Sequence, residues 1–182
     1  MEKYLIESCA PTLASLKMGS LFSMPCREAN ELEEQLVYWN RQMEPKGIRL
    51  LLMKLSRGRA LIYVCRISGL LRELKTEPVQ NFLEHYGYGG MNPARAVEHL
   101  KDRLSCSDEF PHEVGIFLGY PLEDVKDFIE NKGQNYKCAG CWKVYCDECQ
   151  ARRTFEKFRK CREVYTRLWR QGRSVLQLTV AA

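Results

Sequence analysis

The sequence predicts an α+β fold, in which helices pack on a small, mostly antiparallel sheet and a long basic helix lies near the C-terminus. Two segments rich in branched and aromatic residues, 48–55 and 60–67, flank the tight turn SRGR and predict a β-hairpin over 48–67. Elsewhere apolar residues recur every three or four positions, which is the period of an amphipathic helix. The helices and strands do not alternate as regular βαβ units, so we expect an antiparallel sheet.

The first elements are predicted from turn and capping residues. Residues 11–17 are expected to form a short helix with Pro11 in its first turn, and residues 20–24 a brief strand. A second helix is expected from Pro25 to Met43, because its apolar residues share one face.

The middle of the chain predicts further helices. Residues 78–85 are expected to be helical, and Asn92 is expected to cap a helix that has Pro93 at its first position. The segment 111–131 predicts two short helices that separate at Gly119.

A long helix is expected in the last quarter of the chain, from about Asp147 to Gln171, and Gly172 is expected to end it. Residues 174–180 alternate apolar and polar side chains. They are therefore expected to add a C-terminal strand to the sheet.

The composition is that of one globular domain covering residues 1–182. Hydrophobic residues make up 45% of the chain and charged residues 28%, values unlike those of disordered chains. No apolar run approaches the ~20 residues that a bilayer-spanning helix needs, so no membrane association is expected. The N-terminal segment carries glutamates and only a short apolar core, which argues against a signal peptide. We therefore expect a soluble, cytoplasmic protein.

Charge is distributed unevenly along the chain. The net charge is +5, and the segment 152–173 holds nine Lys or Arg against two Glu. The segment 108–130 holds seven acidic residues against one lysine. Such asymmetry is typical of proteins that bind polyanions, and also of proteins whose acidic and basic segments pack against each other. We favour the packing interpretation.

Four of the nine cysteines follow the pattern C-x2-C-x4-C-x2-C, namely Cys138, Cys141, Cys146 and Cys149. In a reducing compartment the alternatives are metal binding, thiol redox chemistry and buried free thiols. Two C-x2-C turns could supply the four thiolates of a tetrahedral zinc site, and iron is the other candidate metal. The gap between the pairs fits neither the zinc-ribbon nor the ferredoxin spacing. Buried thiols beside WKVY are therefore the competing interpretation.

The basic segment is the second candidate site. Its helix would expose residues suited to anion or nucleic-acid binding: Arg152, Arg153, Lys157, Arg159, Lys160 and Arg167, together with Arg162, Arg170 and Arg173. The aromatic residues of this helix have the spacing of core positions rather than of stacking platforms. A solvated face, partly neutralised by the acidic residues at 123–130, is the favoured interpretation.

The helix pair at 111–131 has the spacing of a helix-turn-helix. Its second helix, however, carries Glu123, Asp124, Asp127 and Glu130, which would repel phosphate. We therefore interpret it as a structural helical hairpin. The chain contains no H-E-x-x-H, G-x-S-x-G or Walker motif, so no catalytic residues are predicted.

Several segments together carry a resemblance to a known family: CAPTLASLKMGSLFS, RGRALIYVCR, FPHEVGIFLGYPLEDVKDFIEN, CAGCWKVY, RTFEKFRKC and GRSVLQLTV. They resemble a family of small bacterial proteins that is described as a domain of unknown function, over nearly the whole chain. The resemblance implies a cytoplasmic, single-domain protein and assigns no activity. The family pattern centres on GxWKVY and Cys161 without the CDEC pair, so it does not imply a shared four-thiolate site.

Three functional interpretations remain. The favoured one is a binding or accessory protein for an unknown protein or small molecule, with the basic helix and FPHEVGIFLGYP as its surfaces. The second is a protein that binds zinc or iron, or acts in thiol redox chemistry, through the cysteines of 138–149. The third is a nucleic-acid-binding regulator that uses the basic helix at 152–173.

Overall fold

The computed structural model describes residues 1–106 and 110–181. Asp108 and Glu109, which belong to the predicted acidic segment, lie outside the described residues. The strands are β1 (Gly19–Pro25), β2 (Ile48–Ser56), β3 (Arg59–Arg66), β4 (Cys138–Ala139) and β5 (Lys143–Val144). The helices are α1 (Glu2–Leu13), α2 (Ala29–Met43), α3 (Ile67–Glu73), α4 (Glu77–Glu84), α5 (Pro93–Cys106), α6 (Val114–Phe117), α7 (Leu122–Glu130), α8 (Glu148–Arg170) and α9 (Val175–Leu178).

An antiparallel sheet of order β1-β3-β2 forms the centre of the molecule, and a separate short ladder pairs β4 with β5. The predicted hairpin is confirmed, because β2 and β3 pair up to Ser56 and Arg59. The two residues between them, Arg57 and Gly58, have φ angles of 51° and 70°. Two left-handed residues in a two-residue loop match the twist of the flanking strands.

The sheet separates two hydrophobic cores. Side chains alternate along β3, so Ile62 and Val64 pack in the core with α1 and α2. Tyr63 and Cys65 pack on the other face, in the core with α5 and α6. Because a core covers each face of the sheet, the alternating side chains of the central strand are nearly all buried or half-buried.

The expected C-terminal strand at 174–180 is wrong. Val175–Leu178 is a helical turn, and the third strand of the sheet is β1. The Ser174 hydroxyl accepts from the Gln177 backbone N–H, and the Gln177 side chain accepts from the Ser174 backbone N–H. This capping box favours a helix start over the alternating pattern. The Val180 backbone N–H then donates to the Leu13 carbonyl, which ties the C-terminal segment to the end of α1.

Several helix boundaries also differ from the prediction. The first helix begins at Glu2, and Pro11 lies inside it near its end instead of in its first turn. The second helix begins at Ala29, since β1 continues to Pro25. The sequence did not predict α3. By contrast, the two short helices that separate at Gly119 and the long helix capped by Asp147 are confirmed.

None of the helices within the described residues is both long and apolar enough to cross a membrane.

Candidate ligand-binding site

A cavity of about 200 Å³ lies between the helices α6 and α7 and the β4–β5 hairpin. Its lining is mostly aromatic and aliphatic: Phe110, His112, Val114, Gly115, Leu118, Tyr120, Asp124, Val125, Phe128, Trp142 and Lys143. Two of the segments that carry the family resemblance, FPHEVGIFLGYPLEDVKDFIEN and CAGCWKVY, therefore meet at one cavity. We call it the aromatic pocket.

The first wall is held in place by contacts of α6 with the rest of the protein. The Tyr63 hydroxyl donates to the Phe117 carbonyl at 2.5 Å, and Tyr63 itself is fully buried. Gly19 makes this approach possible, because a Cβ there would lie 2.5 Å from the Phe117 carbonyl oxygen. On its other side, buried Glu113 accepts hydrogen bonds from Tyr88 and Arg103. These contacts fix the helix from which Val114, Gly115 and Leu118 reach the pocket.

The turn between the two helices brings them unusually close. Gly119 has a φ of +75°, a conformation that favours glycine and lets the chain reverse. A Cβ on Gly115 would lie 2.7 Å from Cγ2 of Val125, so α6 and α7 pack against each other only without a side chain there. The floor of the pocket is thus a close contact between two short helices.

Asp124 attaches the β4–β5 hairpin to α7. Its side chain is 3% exposed, and it accepts from the Trp142 indole N–H at 2.7 Å. It also accepts from the backbone N–H groups of Tyr145 and Cys146, at 2.8 and 2.9 Å. Three donors satisfy the buried carboxylate, as a buried charge requires. Asp124 therefore orients Trp142 and holds the second wall against the first.

Aromatic rings contribute to the lining in two groups. Trp142 stacks on Tyr120 with 5.1 Å between ring centroids, and its edge meets Phe155 of α8 at 4.5 Å. Across the pocket, His112 packs edge-on against Phe128 at 4.9 Å. Burial raises the pKa of the Tyr120 phenol to about 12, so this hydroxyl stays protonated and neutral at physiological pH.

One lysine, Lys143, lines the pocket, and a second, Lys17, contacts one of the lining rings. Lys143 Nζ donates to the Gly133 carbonyl at 2.7 Å and lies 5.7 Å from the centroid of Phe128. Lys17, in the loop after α1, places its Nζ 5.0 Å from the centroid of Tyr120. Burial lowers the pKa of Lys17, and the nearby charge of Arg162 lowers it further. The pocket is thus an apolar site with positive charge at its edges.

The four cysteines of the sequence pattern differ in their surroundings. Cys138 is buried, Cys141 is half-buried, and Cys146 and Cys149 are exposed. In the part of the chain that the structure describes, no three His, Cys, Asp or Glu side chains converge so that they could hold a metal ion. Partial desolvation and a hydrogen bond from Cys146 Sγ to Asp127 raise the pKa of that thiol to about 11. The metal site stays a prediction, and the geometry adds no support to it.

The basic residues of the sequence pattern are all exposed, and all of them except Arg173 lie on α8. Arg152 pairs with Glu148, and Arg159 pairs with Glu156 and Glu163, all within the same helix. Over residues 1–106 and 110–181, no ion pair joins α8 to the acidic residues of α7, so the expected packing of the two segments stays a prediction.

The cations of α8 without an ion pair among the described residues are Arg153, Lys157, Lys160, Arg162, Arg167 and Arg170. Some of them line a shallow groove along the helix, with Thr166 between Arg162 and Arg170. This face of α8 therefore presents positive charge to solvent.

Sequence reasoning identified FPHEVGIFLGYP as a surface but missed the pocket and its main residues. Trp142, Lys143 and Lys17 were not singled out. The available signal was the density of aromatic residues in two short segments, each with a glycine that permits close approach. In CAGCW, for example, a Cβ on Gly140 would lie 2.3 Å from the Phe155 ring.

Comparison with known proteins gives one match. The model of a family described as "Protein of unknown function (DUF3793)" matches residues 5–179. No curated protein and no solved structure matches the chain.

Proposed function

The chain belongs to the DUF3793 family of proteins of unknown function, and from its aromatic pocket we propose that it is a binding protein for a small, ring-bearing molecule. The observation that carries the proposal is a single cavity of about 200 Å³ with aromatic rings on both walls and few polar atoms. Small-molecule sites have this character: they are concave and mostly apolar, with a few polar groups that fix orientation.

The size of the cavity limits the ligand. An apolar cavity of roughly 150 Å³ binds benzene in a well-studied engineered protein, so about 200 Å³ suits one ring or two fused rings. Tyr120 and Trp142, which stack on each other, both line the cavity and offer aromatic contact area to such a ring. Offset stacking or edge contacts with these rings would add to the burial of apolar area.

The polar groups of the pocket favour binding over catalysis. Both Asp124 oxygens already accept hydrogen bonds from the protein, so this carboxylate is not placed to take a proton from a ligand. The Tyr120 phenol is held neutral, as described above. The chain's own groups therefore orient and bury a ligand.

The test is thermal unfolding with a panel of one-ring and two-ring aromatic compounds. A ligand that binds the folded state raises Tm in a concentration-dependent manner. Val114→Phe places a ring in the pocket and is expected to abolish the rise in Tm. Val97 of α5 lines a different small cavity, so Val97→Phe is the matched control. This variant is expected to retain the rise in Tm.

Since either Val→Phe change could perturb folding, Tyr120→Leu provides a second test. It removes one stacking wall, and it is expected to weaken binding without filling the cavity. A compound that raises Tm equally in wild type, Val114→Phe and Tyr120→Leu binds elsewhere. No rise in Tm for any planar aromatic compound would contradict the proposal.

A second candidate function is polyanion binding by α8, supported by its exposed cations without carboxylate partners among the described residues. Binding through phosphates must weaken steeply as salt rises. Duplex and single-stranded oligonucleotides are expected to bind at low salt, and Arg167→Gln with Arg170→Gln is expected to reduce that affinity. The matched control is Arg152→Gln, whose guanidinium is paired with Glu148. No binding at low salt would remove this candidate.

The cytoplasmic location expected from the sequence is kept as part of the proposal. Its support is that eight cysteines are free thiols, as is typical of a reducing compartment. They are Cys9, Cys26, Cys65, Cys138, Cys141, Cys146, Cys149 and Cys161.

A further inference from the structure

The charge of the aromatic pocket limits which ring-bearing ligands it can hold. Lys143 donates one of its three N–H bonds to the Gly133 carbonyl. Within the described residues it forms no ion pair, which leaves two N–H bonds for a ligand. Its Nζ also lies 4.8 Å from the centroid of Tyr136, so the ammonium is held between two rings at the rim.

The second cation, Lys17, is not part of the lining, but it contacts Tyr120, which is. Its ammonium lies 5.0 Å from the Tyr120 centroid, and the residue is half-buried. Aromatic sites that bind cationic ligands do so through the faces of their rings. Here an ammonium from the protein already lies over Tyr120 and another over Phe128. A cationic ligand would meet two like charges at these rings.

The lining also contains one carboxylate, that of Asp124, but it is not available to attract a cationic ligand. Asp124 is buried, and its two oxygens accept from Trp142, Tyr145 and Cys146. A cationic ligand could reach Asp124 only by displacing a buried N–H donor and leaving it unpaired, which is costly. The other ionisable groups of the lining add no negative charge, because the Tyr120 phenol stays neutral and the His112 imidazole is not an acidic group.

We infer that the aromatic pocket selects aromatic carboxylates, with the ring between the Tyr120–Trp142 pair and Phe128 and the carboxylate on the Lys143 ammonium. This inference rests on the proposed function, since it names the class of ligand for the same pocket. A charge-assisted hydrogen bond from Lys143 supplies the selectivity, and the rings supply most of the buried apolar area.

The inference is tested by calorimetric titration with three probes that share the naphthyl ring: 2-naphthoate, 2-naphthamide and a naphthyl trimethylammonium salt. The carboxylate is expected to bind at least about tenfold more tightly than the neutral amide, as one charge-assisted hydrogen bond would provide. The ammonium salt is expected to bind most weakly.

Lys143→Gln keeps a donor near the Gly133 carbonyl and removes the charge. It is expected to bring the affinity for 2-naphthoate down to that for 2-naphthamide. Lys137→Gln is the matched control, because Lys137 Nζ also donates to a backbone carbonyl, that of Cys146, and does not line the pocket. It is expected to leave all three affinities unchanged.

The outcomes separate the two proposals. If the three probes bind wild type equally, or the ammonium salt binds best, the ligand class is wrong while the pocket remains a binding site. A preference for the carboxylate that survives Lys143→Gln would also overturn the inference. The positive charge that selects the carboxylate would then belong to another residue. If folded wild type binds none of the probes, the proposed function fails, and the inference fails with it.

Discussion

Asp124 carries a buried negative charge that is balanced by three N–H donors rather than by a cation. Asp124→Asn would turn one acceptor into an amide N–H that faces the Trp142 indole N–H or a backbone N–H. Leaving such a buried donor unpaired is expected to lower the free energy of unfolding by about 1–3 kcal/mol.

Urea denaturation measures this change. Glu123→Gln is the control, because Glu123 lies on the same helix, is exposed, and pairs with the exposed end of Lys126 on that helix. It is expected to change stability by less than about 0.5 kcal/mol. Equal effects of the two substitutions would show that Asp124 does not anchor the hairpin.

Cys146 lies on the surface, yet its thiol is expected to react slowly. Partial burial, the hydrogen bond to Asp127 and the charge of Asp124 raise its pKa from 9.0 to about 11. The raised pKa favours the protonated thiol in the folded state. Its contribution to folding is therefore present below pH 9 and lost as the pH rises towards 11.

Alkylation by iodoacetamide at pH 8 tests whether the Cys146 thiol reacts more slowly in the folded protein than in the unfolded chain. The raised pKa leaves less thiolate at pH 8 than in the unfolded chain, so Cys146 is expected to react more slowly in the folded protein. Peptide mass spectrometry gives the rate, and Asp127→Asn is expected to increase it. Equal alkylation rates of Cys146 in the folded and the urea-unfolded protein would contradict the raised pKa of this thiol.

At the scale of elements, the pocket depends on the close packing of α6 against α7. Gly115→Ala would place a Cβ 2.7 Å from Val125 Cγ2, and the two helices would have to move apart. Such overpacking is expected to cost about 1–3 kcal/mol of stability. It is also expected to weaken binding of a planar ligand, because the same residues form the pocket floor.

Gly89→Ala is the matched control for this substitution. Its Cβ would lie 3.3 Å from Glu84 Cγ, which belongs to a flexible, exposed side chain that can move away. Stability from urea denaturation and the ligand-induced rise in Tm are measured on both variants. The account is contradicted if Gly115→Ala is as stable as Gly89→Ala and binds ligand like wild type.

Elements with local signals could be predicted from the sequence, and elements with competing signals could not. The hairpin turn at Arg57 and Gly58 and the cap at Asp147 act over a few residues, so pattern and structure agree. At 174–180 the alternating pattern competed with the Ser174–Gln177 capping box, and the capping box prevailed. In α1 the buried positions do follow a helical period, but Pro11 suggested a later start.

The site was less predictable than the fold, because it depends on contacts between distant residues. Asp124 lies 18 positions before Trp142, and no local rule places its carboxylate on that indole. Lys17 meets Tyr120 across more than half the chain. The cysteine spacing was the most visible pattern, but spacing alone does not specify the direction in which each thiol points.

At the scale of the whole molecule, the pocket lies beside the main cores rather than within them. The two large cores lie on either face of the central sheet. The hairpin that carries Trp142 belongs to a small separate cluster with Ala151 and Phe155 of α8. The hairpin therefore has fewer buried contacts than the sheet, and a ligand between it and α7 would add to them.

The central claim is that a ring-bearing ligand binds beside Trp142. The chain has three tryptophans, each with an indole N–H that nuclear magnetic resonance can observe, and Trp142 is the one that lines the pocket. Titration with 2-naphthoate is predicted to shift the Trp142 indole resonance and to leave those of Trp39 and Trp169 in place. An unchanged Trp142 resonance at saturating ligand, or equal shifts of all three, would contradict the account.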